Sequence, residues 1–211
     1  MPREKQRAAK GKPSAWPQTE KFLNSEALKY EEAFFEDMTL QPGSIAGDVF
    51  LKYEDEVFSK KKNKEYWSAK GAGYNLSIRQ FSFRVKSFKD AEAVIRYKEK
   101  IIFIDPELIN EPKALRAAVL HEMIHAYDLA LDRCFPLPFR DMLITRLYDK
   151  LKIKIENLDK HLMAFSHLGN QYRFLGSGQG KHGLLFFLKS LDLDIRLGLP
   201  LGTVCGYGRD T

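Results

Sequence analysis

Residues 113 to 132, KALRAAVLHEMIHAYDLALD, read as one unbroken helix, and any fold of this chain has to be built around it. Asn110-Glu111-Pro112 opens it well, because Asn or Glu can cap and proline is tolerated in a first turn that has no use for its missing N–H. Within it lies His121-Glu122-Met123-Ile124-His125, the pattern HExxH. Histidines four residues apart leave one face of a helix about 6 Å apart along the axis, so both imidazoles can grip one zinc ion. Glu122 sits one residue round the helix, placed to take a proton from a water at an open zinc position, where the metal lowers the water's pKa to about 7. Met123 and Ile124 are apolar, as a helix packed between core and cleft requires. The alternative reading of the same residues is two histidines satisfied by backbone or solvent on a core helix.

A catalytic zinc needs a third protein ligand. Asp128 shares the face of the two histidines but lies about 10 Å along the axis from His121, too far for bonds near 2 Å, and suits a supporting or capping role. The longer pattern HExxHxxGxxH fails, with Asp128 at its glycine and Leu131 at its histidine. Glu156, with Asp159 three residues on, is one candidate, although such pairs are usually a solvated face. His182 is the stronger one: it stands at the entry of a last helix, in Lys181-His182-Gly183-Leu184-Leu185-Phe186, behind the Gly-rich stretch 176–180. That stretch fails as a phosphate loop, since the first glycine would fall on Leu175 and His182 replaces the required Ser or Thr. His161 and His167 read as ordinary surface or packing histidines.

The rest of the 211-residue chain organises around this helix. Residues 1–18 are basic, proline-containing and poor in large apolar side chains apart from Trp16, the composition of a flexible tail. A helix is predicted over 19–38, with Phe22, Leu23, Leu28, Ala33 and Phe34 on the core side, then a turn at 41–44 and a second helix over 46–60. Tyr74, Leu76 and Ile78, then Phe81, Phe83 and Val85, alternate as strands do, and Lys100–Asp105 is a short buried strand closed by Asp105-Pro106. Phe135-Pro136-Leu137-Pro138-Phe139 breaks the chain. A long amphipathic helix over 139–160 then sets Leu143, Leu147, Leu151, Ile155 and Leu158 in register, and the last helix runs from 183 to 191. The closing GLPLGTVCGYGRDT looks irregular. Cys134 and Cys205 are too few for a disulfide scaffold or a paired-CxxC zinc ribbon, and read as buried or idle thiols.

HEMIHAY at 121–127, HGxxF at 182–186 and the ordered segments DVFLKYEDEVF (48–58), YWSAKGAG (66–73) and IIFIDPELI (101–109) together resemble the SprT-like metalloprotease family, over roughly residues 20–190. The resemblance implies an α+β, helical zincin-type domain with a small antiparallel or mixed sheet. It implies zinc held by His121, His125 and His182, with Glu122 as the base. The family sets its third histidine within a few dozen residues of HExxH, whereas 56 residues lie between His125 and His182. The chain therefore reads as a tail, 1–18, and a single domain, 19–211, with a helical insertion at about 133–181.

Function follows as an expectation: a zinc endopeptidase acting on protein substrates, which by the resemblance include proteins held on DNA. The alternatives are a catalytically silent nucleic-acid-binding or adaptor module, and an effector-type protease with a narrow protein target. Net charge is +6, which favours an acidic partner. Arg3, Lys5, Arg7, Lys10 and Lys12 against Glu4 make the tail +4, Lys60, Lys61, Lys62 and Lys64 add another +4, and the remainder nets −2. A DNA contact would thus run through the tail and Lys60–Lys64, with no help from the body. No apolar run approaches the roughly 20 residues of a membrane span, and the first residues lack a secretory apolar core, so the chain reads as soluble and intracellular, cytoplasmic or nuclear, with no membrane partner. Oligomeric state is not legible.

Overall fold

The structure is a computed structural model and describes residues 16–30, 81–89, 91–134, 137–167 and 182–206. The expected turn at 41–44, the helix over 46–60, the strand through Tyr74–Ile78, the lysine cluster at 60–64, the Gly-rich stretch at 176–180 and nearly all of the tail lie outside these residues. Among the described residues the architecture is α+β: five α-helices and one mixed three-stranded sheet.

Helix α1 (Trp16–Lys29) begins three residues before the expected start at Thr19, because Pro17 sits in a first turn that needs no N–H from it. The part of the expected helix beyond residue 30 lies outside the described residues. Its buried stripe is not the expected one. Leu23 and Ala27 are buried, while Phe22 and Leu28 are about half exposed. What turns the helix is hydrogen bonding to β1 (Ser82–Val85): Asn24 Oδ1 accepts from Phe83 N at 3.0 Å, Asn24 Nδ2 donates to Phe83 O at 3.3 Å, and Glu20 Oε1 accepts from Val85 N at 3.2 Å. Glu20, Leu23, Asn24 and Ala27 follow the spacing of one helical face. Polar side chains thus satisfy a strand edge that would otherwise be open to pairing.

β1 alternates as predicted, with Phe83 and Val85 inward. β3 (Ile101–Ile104) is the expected buried strand and lies at the centre, parallel to β1 and antiparallel to β2 (Ala93–Arg96). The sequence reading did not contain β2. It joins β3 through the turn 97–100, where Lys100 takes a φ of +53°. Asp105 closes the sheet: Oδ1 accepts from Glu107 N at 2.9 Å, capping the 3₁₀ turn Pro106–Asn110, and Oδ2 accepts from Phe88 N at 2.7 Å, tying down the segment after β1.

Helix α2 (Pro112–Cys134) starts at the proline that was expected to open it. From Ala114 to Tyr127 nearly every side chain is buried, so this is a central helix enclosed on all sides, with α1, the sheet and the last helix around it. The long helix expected over 139–160 is two helices. α3 (Leu137–Lys154) begins inside the proline-rich stretch, whose Pro138 falls in its first turn, and α4 (Leu158–His167) follows a reversal at Asn157, where φ is +55°. Leu143, Leu147, Leu151, Ile155 and Leu158 are all buried as expected, in the same core as α2 and α5 (Leu184–Arg196).

α5 runs five residues past its expected end. Gly198, at φ +62°, terminates it: Leu199 N donates to Asp194 O at 2.7 Å and Gly198 N to Ile195 O at 3.2 Å, the paired bonds of a Schellman motif. Pro200 then turns the chain back along the helix. A buried charge cluster locks α5 to α3: Asp192 lies 3.2 Å from Lys150 Nζ, 2.9 Å from Arg196 Nε and 3.8 Å from Lys189 Nζ.

Candidate metal centre

Helix α2 supplies His121 and His125 from successive turns of one face, and His182 arrives from the other side as the residue just before Gly183, the N-cap of α5. One ligand nitrogen from each of the three lies within 4.8 Å of the others. His121 Nε2 and His182 Nε2 are 3.0 Å apart. Three nitrogens bound tetrahedrally at 2.0–2.1 Å sit about 3.3 Å from one another, so a modest adjustment would let this set close on one ion. His121 is buried and His182 is partly exposed, which leaves the His182 side of the cluster open to a ligand.

Phe186 forms the floor. Its ring centroid lies 4.7 Å from His121, 4.9 Å from His125 and 4.2 Å from His182, and the side chain has no exposed surface. It lies four residues after His182, which explains the spacing of HGxxF: the histidine joins the other two in the cluster and the phenylalanine packs under all three imidazoles.

The tautomer of His121 is set from behind. Its Nδ1 lies 3.1 Å from the Val204 carbonyl oxygen, which can only accept, so Nδ1 carries the proton and donates. Nε2 is then left with its lone pair toward His182 Nε2, 3.0 Å away. Burial holds the His121 imidazole well below its ordinary pKa, the charges of His125 and His182 act in the same sense, and the backbone of Val204 and Cys205 opposes them. The neutral form is the one a metal requires.

The Val204 carbonyl is itself held. Asp194, fully buried on α5, accepts from Gly202 N at 2.8 Å through Oδ2 and from Val204 N at 3.1 Å through Oδ1. Burial pushes its carboxyl up to about 6, against the lowering effect of the N–H groups of Val204, Gly202 and Thr203. Burial, and then the charge of Asp194, pushes the Cys205 thiol up to about 12, so it stays protonated and is a poor metal ligand.

The sequence-predicted residues therefore divide. His121, His125 and His182 come together, with Glu122 buried beside His121 on α2. Glu156 is exposed in the reversal between α3 and α4, Asp159 accepts a hydrogen bond from Tyr148 Oη at 2.8 Å, and neither joins the cluster. Asp128 pairs with Arg140 of α3 at 3.2 Å and does not join the cluster. His161 borders a separate hollow with Lys154 and Lys160, and the side chain of His167 lies outside the described residues. Sequence reasoning missed Val204 and Asp194. A backbone carbonyl carries no side-chain signature, and Asp194 reads as part of a charged helix end. No family model, curated protein or solved structure matches this chain.

Proposed function

We propose that this chain is a zinc-dependent endopeptidase of the SprT-like type, in which His121, His125 and His182 hold the metal and Glu122 moves the proton. The observation that carries the reading is the convergence of His182, from the far end of the chain, on the two histidines of HExxH. The donor set fits: three imidazoles, one with its remote nitrogen engaged by a carbonyl, are ligands that zinc accepts while keeping a position for substrate. When bound, zinc supplies Lewis acidity that makes a peptide carbonyl electrophilic at neutral pH.

The chain's own residues do the rest. Glu122 accepts a proton from the attacking water on its carboxylate and returns it to the leaving amide nitrogen, so it ends unchanged. Phe186 excludes water from beneath the imidazoles and keeps their local dielectric low, while the open side admits an extended peptide. That the substrates include DNA-bound proteins rests on the resemblance and on the basic tail and lysine cluster. No described helix is long and apolar enough to cross a membrane.

Glu122→Gln tests the reading. The variant should bind zinc as the parent does and lose cleavage of an unfolded protein substrate, assayed with and without single-stranded DNA. Cleavage persisting at the parental rate in Glu122→Gln would remove Glu122, and with it this mechanism.

A further inference from the structure

Behind the metal centre lies a relay that the proposed chemistry does not use. α5 ends in the Schellman turn at Gly198, and the chain doubles back so that residues 202–204 face the helix they have just left. Asp194 meets them there with both oxygens, on Gly202 N and Val204 N. Gly202 takes a φ of +89°, a conformation that side chains other than glycine's resist, and its carbonyl accepts from Gly206 N at 2.8 Å. Thr203 Oγ1 donates to Pro200 O at 2.6 Å. The turn is thus fastened at several points, and its product is one buried carbonyl, Val204 O, aimed at His121 Nδ1.

We propose that Asp194 is a positioning residue for the histidine cluster: its carboxylate holds the 202–204 turn so that the Val204 carbonyl keeps His121 protonated at Nδ1 and presents Nε2 to the metal. Two observations support it independently. The carboxylate is fully buried, and both its oxygens are spent on this one turn. The turn in turn touches His121, which is itself buried, so that its Nδ1 faces this carbonyl inside the protein. Partners of this kind on the remote nitrogen of a ligating histidine orient the ring and raise its basicity. Asp194 does this through backbone, one step removed, so that the end of α5 sets the ligand geometry at the middle of α2. The last step, presentation to a metal, rests on the metal-binding reading above. The tautomer step does not.

The test uses the full-length chain labelled with ¹⁵N-histidine and read by long-range ¹H–¹⁵N correlation, first metal-free at neutral pH and then titrated with Co²⁺ alone. The parent should show His121 as the Nδ1–H tautomer. Asp194→Asn keeps the shape but turns an NH₂ toward an N–H donor, and should give a mixed tautomer population with Co²⁺ affinity lowered about 10- to 100-fold. Gly202→Ala strains the turn from the opposite side while leaving α5 intact, and should produce the same two changes with helix content unaltered; it decides the matter if Asp194→Asn does not fold. Parental tautomer and parental Co²⁺ affinity in the folded variants overturn the inference, as does an Nε2–H tautomer in the parent. A parent that holds the Nδ1–H tautomer but takes up no metal leaves the relay standing and sinks the metal-binding reading instead.

Discussion

Replacing Phe186 probes packing and site together, because one ring serves both. It is wholly buried and its centroid lies between 4.2 and 4.9 Å from all three imidazoles. Truncating a buried Phe to Ala costs about 3–5 kcal/mol through lost transfer energy and the residual cavity, and complete burial with neighbours on every side places Phe186→Ala toward the upper end. In a chain of this size each kcal/mol lowers Tm by about 2–4 °C, so a fall of roughly 10–20 °C is expected. Phe186→Leu separates the two roles. It keeps most of the buried volume but loses the ring–ring contacts, which are worth about 0.5–1.5 kcal/mol each beyond burial. Losing even one of the three should weaken metal binding several-fold to about tenfold. The assay is thermal unfolding by circular dichroism on metal-free protein, paired with chelator competition for the metal. If Phe186→Ala lowers Tm by less than about 3 °C, or if Phe186→Leu binds metal as the parent does, Phe186 is not the floor of the site and the imidazoles are oriented by something else.

Other expectations follow from the same structure. Asn24→Leu should strip β1 of both hydrogen bonds at Phe83, costing about 1–3 kcal/mol in urea unfolding and opening a strand edge that sedimentation would report as self-association. Burial pushes the folded Asp194 carboxyl up to about 6 from its ordinary 3.8, so the folded state holds its proton more tightly; its contribution to stability is full below about pH 3.8 and is lost as pH rises to about 6. That loss is at most about 3 kcal/mol, less where water around the turn screens the charge, and should vanish from the pH dependence of urea unfolding in Asp194→Asn. Cys205, with its thiol pushed up to about 12, should resist alkylation at neutral pH, read by mass mapping of the labelled chain.

The parts of this molecule that could be read from the sequence are those in which side-chain identity and spacing carry the information. Four-residue spacing put His121 and His125 on one face, and His182 at a helix entry with Phe186 one turn on marked the third corner. The buried strand 101–104 and the leucine register of α3 were legible for the same reason. Where geometry is set by backbone, the reading failed. β2 is four half-buried residues with no alternation to detect, and it exists because β3 offers it an edge. The leucine register runs straight through the break between α3 and α4, since Ile155 and Leu158 stay on the core side of a reversal made by Asn157. On α1 the apolar residues Phe22 and Leu28 gave way to Glu20 and Asn24, because a strand edge with unsatisfied amides outweighs two half-exposed side chains. The Val204 carbonyl and the Asp194 carboxylate behind it needed coordinates.

Three histidines from two distant parts of the chain are proposed to form one metal site, and zinc content is the direct readout of it. Full-length protein purified from zinc-supplemented medium should carry about one zinc per chain by elemental analysis, and His182→Ala, folded by circular dichroism, should lose most of it under a mild chelator. Parental protein without zinc, or His182→Ala retaining it as the parent does, would mean that the three histidines do not form a zinc site.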